Sequence, residues 1–283
     1  MRWGAHKADM RIAAKNAFKI RAAIKQSFDP LMAYEGYLAT LPNPDEKLPM
    51  ARAKGRAWAI MNIKFNRQPM ETVLRRVLAD GFVLGRTSAN DALRKTRKFK
   101  PKAVNNDNLE GFIDWENWKP GSQSAALLLR PAGAFKKLLD DLSISIKGIN
   151  AEDYDRLGSA LADSVALGLA PKRAAKLIEN IVASPSRALT IAVTEQSRAI
   201  NTATVERYQE MGVEEMEWIA AIPCDDCSQN EGEVRAVGEA FPSGDTEPPV
   251  HPNCRCALLP IPSEFPMTLD SGYGMDLVDI SEY

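Results

Sequence analysis

Pro223–Pro262 reads PCDDCSQNEGEVRAVGEAFPSGDTEPPVHPNCRCALLPIP. This stretch holds all four cysteines of the 283-residue chain and one of its two histidines. The spacing is C-x2-C, then H-x2-C-x-C. Two cysteines separated by two residues at a tight turn can aim both thiolates at one tetrahedral ion, the usual knuckle of structural zinc. Cys224, Cys227, His251, Cys254 and Cys256 are thus five candidates for four places. The all-thiolate set assumes that Cys254 and Cys256 lie on a strand, where residues two apart face the same side. The other set takes His251 and one cysteine of the second pair, and His251 could also act from outside the ligand shell. Structural zinc is the expectation, with two disulfides or free thiols as alternatives.

Around the cysteines the hydrophobic period is two. EMEWIAAIP (215–223) alternates, with Met216, Trp218 and Ala220 on one side, and 233–237 and 254–261 are further candidate strands. A β-module over 213–262 with few large apolar residues needs a staple. Upstream, the period is that of helices. Residues 7–28 place Ala13, Ala17, Ile20, Ile24 and Phe28 on one face and Lys7, Arg11, Lys15 and Lys19 on another. Asp29-Pro30 ends that helix. A Pro-rich linker follows near 41–49, then helices over about 50–65 and 70–85. Residues 103–124 read as irregular, and helix resumes from about 122, with a break at Pro131. Asn150 is a candidate N-cap with Asp153 at the third helical position. Pro171 and Ser184-Pro185 open two more helices, the second running to about 211 and closed by Gly212. The expected organisation is a basic helical region over 1–121, a helical unit over 122–212, the β-module over 213–262 and an acidic tail over 263–283. The fold class is α+β, predominantly α-helical, with a small C-terminal β-rich module clipped by the Cys/His cluster.

Charge is unevenly distributed. Residues 1–150 carry 27 basic against 14 acidic side chains, and the remainder 9 against 23. The lysine ridge and the run RKTRKFKPK (94–102) make Lys7, Arg11, Lys15, Lys19, Arg94, Lys95, Arg97, Lys98 and Lys100 candidate nucleic-acid contacts. No apolar run reaches bilayer length, so no membrane is expected. The first residues show no secretory h-region.

Catalytic constellations are absent from the sequence. Pro223-Cys224-Asp225-Asp226-Cys227 matches the P-C-x-x-C half of zinc deaminases, which also need an upstream H-x-E or C-x-E. No histidine or cysteine lies between His6 and Cys224. There is no H-E-x-x-H, no Gly-rich phosphate loop and no G-x-S-x-G. No catalytic residue is assigned, and an enzyme is not expected.

Four features in order resemble the MuF-type (phage head morphogenesis) minor head proteins of tailed bacteriophages. They are IAVTEQSRAINTATVERYQEMGV (191–213), a strand with Trp218, C-x2-C followed by Glu231-Gly232, and PPVHPNCRCALLP (248–260). The resemblance covers residues 150–262. It implies a virion protein in the capsid interior at the portal vertex, present in the host cytoplasm during assembly. Its partners would be the portal protein and, further, phage genomic DNA, scaffold or major capsid protein. Within the matching helix, Thr194, Glu195, Arg198 and Asn201 form a polar cluster expected to hydrogen-bond the helix to the β-module. A zinc-stabilised nucleic-acid-binding regulator is the competing reading. Residues 215–262, with two arginines and no lysine, count against it.

Overall fold

The computed structural model describes residues 3–96, 133–221 and 224–261. Predictions that fall on 97–132 and 262–283 lie outside these residues: most of the basic run, the irregular segment, the break at Pro131 and the acidic tail. The elements in chain order are α1 (Trp3–Gln26), α2 (Pro30–Leu38), α3 (Leu48–Asn62), α4 (Gln68–Thr96), α5 (Gly133–Ala166), α6 (Pro171–Val182), α7 (Pro185–Glu210), β1 (Glu215–Ile219), the one-turn α8 (Asp225–Ser228), β2 (Val234–Ala236) and β3 (Ala257–Pro260). This is the expected mainly helical chain with a small sheet. No helix among the described residues is long and apolar enough to cross a membrane.

The chain divides into two compact units, Met1–Arg75 with Asp140–Ala192, and Arg76–Leu139 with Val193–Tyr283. In the first, α1 buries Ala13, Ala17, Ile20 and Ile24, as its period predicts. Asp29 ends α1 and also starts α2, a helix not expected from the sequence. Its carboxylate accepts from the amides of Leu31 and Met32, and Pro30 supplies the first turn. Tyr34 on α2 is buried and donates its hydroxyl to the carbonyl of Leu169 at 3.1 Å.

Helix α5 runs unbroken through Asn150, so Asn150 is not an N-cap. The reason is tertiary. Asp153 is taken by Arg187 of α7, whose Nε and Nη2 donate to one carboxylate oxygen at 3.0 and 2.6 Å. Arg187 Nη2 also donates to the carbonyl of Ile149 at 2.9 Å. A carboxylate engaged this way is unavailable to cap a helix start. Pro171 and Pro185 do open α6 and α7, the second with Ser184 Oγ accepting from the Arg187 amide at 3.3 Å.

In the second unit α4 continues to Thr96, well past the predicted end near 85. Gly81 and Gly85 are not terminators. A Cβ on Gly81 would come 2.9 Å from Ala199 Cβ, and one on Gly85 2.9 Å from Ala203 Cβ. The glycines let α4 lie against α7 backbone to backbone, a packing gain that outweighs their poor helix propensity. Arg86, buried beside this seam, pairs with Glu206 at 3.0 Å and Glu210 at 2.7 Å. Gly212 closes α7 at φ +63°, its amide and that of Val213 returning to the carbonyls of Gln209 and Tyr208.

The sheet has the order β2-β1-β3, antiparallel throughout. Met216 pairs with Pro260 and Trp218 with Leu258, while Glu215 pairs with Ala236. The strands are shorter than predicted, since the chain turns away after Ile219 and reaches β3 only at Ala257. Met216 and Trp218 are fully buried, as the alternation predicts, and pack with Val213, Phe241, Leu258 and Tyr208. Trp218 meets Phe241 edge to face at 5.0 Å.

Candidate metal centre

The first cysteine pair is placed by a helix cap. Cys224 precedes α8 with extended backbone, and its Sγ accepts from the Cys227 amide at 3.4 Å. Both sulfurs of the C-x2-C are thereby turned to one side. The second pair does not sit on a strand: Cys254 and Cys256 precede β3, in the loop after the left-handed Asn253 (φ 65°). The strand argument for the all-thiolate set therefore does not hold, and a different local geometry presents these sulfurs.

All five candidates come together, in two groups that share Cys227. One is Cys224, Cys227 and His251; the other is Cys227, Cys254 and Cys256. Within each group the donor atoms lie within 4.8 Å of one another. His251 Nε2 is 3.1 Å from Cys224 Sγ and 3.2 Å from Cys227 Sγ, and Cys227 Sγ is 3.8 Å from Cys254 Sγ. A tetrahedral ion with metal–sulfur bonds of about 2.3 Å would set its sulfurs about 3.8 Å apart. The Cys227–Cys254 separation fits that figure. All four cysteines are free thiols in this arrangement.

The histidine is prepared as a ligand. Its Nδ1 lies 2.8 Å from the carbonyl of Pro252, which can only accept, so Nδ1 carries the proton and Nε2 presents its lone pair to the sulfurs. Their neighbours shift the thiols in opposite directions. Hydrogen bonding from Cys256 draws Cys254 down to about 5, while the same neighbour relationship pushes Cys256 up. Burial raises Cys227 to about 12. The Cys227 amide lowers Cys224. Several thiolates this close repel one another in a buried setting, and a cation among them removes that cost. The donor set therefore fits a bound metal ion.

The polar residues of α7 reach the loop that carries the second pair. The Asn253 amide donates to Thr194 Oγ1 at 2.9 Å, and Asn201 Nδ2 donates to the Cys256 carbonyl at 3.2 Å. Glu195 is buried and pairs with Arg198 at 3.4 Å. Two further contacts tie α7 to the module. Tyr208 donates its buried hydroxyl to the Leu258 carbonyl at 3.1 Å, and Thr202 donates to Glu247 at 2.6 Å. The tyrosine could have been suspected from its place one turn before Gly212; nothing in the sequence points to Glu247.

Of the candidate nucleic-acid contacts, Arg11 and Lys15 are exposed on α1, Lys19 is half-buried, and Lys95 is exposed near the end of α4. The side chains of Lys7 and Arg94, and residues Arg97, Lys98 and Lys100, lie outside the described residues.

A family model described as Phage Mu protein F like protein matches residues 155–259. These residues make up a little over a third of the chain and run from within α5 to the end of β3. They include all five candidate ligands. The match nearly coincides with the stretch whose motifs resemble MuF-type head proteins, and it supports that resemblance. That family is one of structure and morphogenesis. No curated protein and no solved structure matches the chain.

Proposed function

Taking residues 155–259 as a Phage Mu protein F-like region, we propose that the chain is a minor capsid protein of a tailed bacteriophage. In this reading it joins the portal inside the head and supports head assembly, DNA packaging or ejection, without catalysing a reaction. The observation that carries it is the coincidence of the family match with the cysteine–histidine centre and the helix that holds it. The centre acts as a structural zinc clip: it fastens the turn of α8 to the loop before β3, in a module whose strands are five, three and four residues long. Strands that short need such a fastening.

The test is co-expression with a portal protein from the same phage, followed by purification of portal rings and procapsids. Retention of the chain on both is the expected result. Its absence from both, together with tight binding to DNA, would overturn the reading in favour of a zinc-stabilised nucleic-acid-binding regulator.

A further inference from the structure

A groove of about 430 Å³ opens within the unit formed by Met1–Arg75 and Asp140–Ala192. The last turn of α3, the segment after it and the middle of α5 line it, and four cations face it: Arg56, Lys64, Arg67 and Lys147. None of the four belongs to the lysine ridge or to the basic run. Their approach has a structural cause. Gly158 of α5 lies so close to α3 that a Cβ there would come 2.8 Å from Arg56 Cβ. The groove floor is fixed by aromatic packing: Phe65 meets Tyr154 at 4.9 Å and Phe28 at 5.3 Å, and the Tyr154 hydroxyl donates to the Ile63 carbonyl at 2.8 Å.

The charges do not cancel. Arg56 is paired with Asp155. The other acids on this stretch of α5 are also engaged, Glu152 by Arg156 and Arg187, and Asp153 by Arg187. Lys64, Arg67 and Lys147 are exposed and have no ion-pair partner among the described residues. Three uncompensated cations, two from the segment after α3 and one from α5, therefore face one open groove over an apolar, aromatic floor. One small anion would use only part of this. A polymer with regularly spaced charges would use all of it, and long cationic side chains suit such a backbone. An acidic peptide would also need partners for its amides and carbonyls, and Asn150 is the one side-chain amide in the lining.

We propose that this groove binds the phosphodiester backbone of nucleic acid, with Lys64, Arg67 and Lys147 each neutralising a phosphate. Binding of this kind is indifferent to sequence and depends steeply on salt. The proposal stands apart from the capsid reading and can fail without it.

The probe is a fluorescently labelled 20-base-pair duplex of arbitrary sequence, titrated with the full chain at 50–200 mM NaCl. The variant is Lys64→Ala/Arg67→Ala/Lys147→Ala, whose altered side chains are exposed, so packing is preserved. Each phosphate contact contributes about 0.9 to the slope of log affinity against log salt. The variant is expected to lose close to three such contributions and to bind at least ten-fold more weakly at 50 mM salt. The charge-preserving Lys64→Arg/Lys147→Arg variant is expected to bind like the parent. An unchanged slope in the triple alanine variant would overturn the proposal. So would an equal loss from Arg11→Ala/Lys15→Ala/Lys95→Ala, which would show that only overall charge matters. Polyglutamate that binds more tightly than the duplex, and loses affinity in the same triple variant, would reassign the groove to acidic peptides.

Discussion

Replacing Arg187 by methionine should expose what the buried ion pair on α5 and α7 contributes. Arg187 and Asp153 are both 2% exposed at the side chain, and the arginine also serves the Ile149 carbonyl and the half-exposed Glu152. In Arg187→Met the Asp153 carboxylate would be buried without a counter-charge. Breaking a pair in this way costs about 3–5 kcal/mol, and the partly exposed Glu152 contact adds little. The pH dependence sharpens the prediction. Burial raises Asp153 from its ordinary 3.8 to about 6, against the lowering effect of Arg187. A folded carboxyl that takes up its proton at higher pH than the unfolded one weakens folding as pH climbs from about 4 to about 6, with a plateau above. Removing Arg187 raises Asp153 further and carries that loss upward in pH. The cost of Arg187→Met should therefore be small at pH 5, where the carboxyl is already mostly neutral, and full at pH 8. At about 2–4 °C per kcal/mol, the melting temperature at pH 8 should fall by roughly 10 °C. Replacing both residues, as Arg187→Met/Asp153→Leu, should restore most of it, since a buried pair exchanged for apolar groups of similar volume is often neutral. Urea titrations at pH 5 and pH 8 supply the measurement. A cost below about 1 kcal/mol at pH 8, or the same cost at both values, would refute this account.

Purified protein should hold about one zinc per chain by elemental analysis, and Cys227→Ser should lose it, because Cys227 belongs to both ligand groups. Loss of the metal should also shift the fluorescence contributed by Trp218 to the red as its contact with Phe241 loosens. Asn201→Ala leaves the Cys256 carbonyl without its helix partner and should cost about 1–3 kcal/mol in denaturant unfolding. Gly85→Ala should destabilise by more than 1 kcal/mol, through forced separation of α4 and α7. Gly148→Ala, in the interior of α5 with nothing within 4 Å of the new methyl, should stabilise by about 0.5–1 kcal/mol.

Much of this was legible in the sequence because the signals were local. The alternation of Met216 and Trp218, the prolines that open α6 and α7, and Gly212 each act within a few residues, and each stands where its chemistry requires. The five metal candidates could be found because cysteine is rare in the chain. Several of the differences share one cause, a partner distant in sequence. Asn150 and Asp153 resemble a capping box until Arg187, 34 residues beyond Asp153, claims the carboxylate. The helix expected over about 70–85 runs on to Thr96 because α7 lies against Gly81 and Gly85. The cationic groove joins side chains about 80 residues apart, and no run of sequence announces it. Cys254 and Cys256 join the cluster without lying on a strand, since C-x-C suits a strand as well as the loop that leads into one.

The sheet order bears on how the module is made during synthesis. β1 is central, and β3 is the last of the described strands to leave the ribosome. Chains fold broadly from the N-terminus as they emerge. When Ile219 appears, α7 with Thr194, Asn201 and Tyr208 is already available, but their bonds to Asn253, Cys256 and Leu258 wait for residues 253–258. Cys254 and Cys256 arrive in the same few residues. One short segment thus delivers the last two candidate ligands, the missing edge of β1 and partners of the helix together. A nascent chain stopped before Cys254 would hold a strand with one edge bare, three of the five candidate ligands, and a helix whose Asn201 and Tyr208 lack the carbonyls of Cys256 and Leu258.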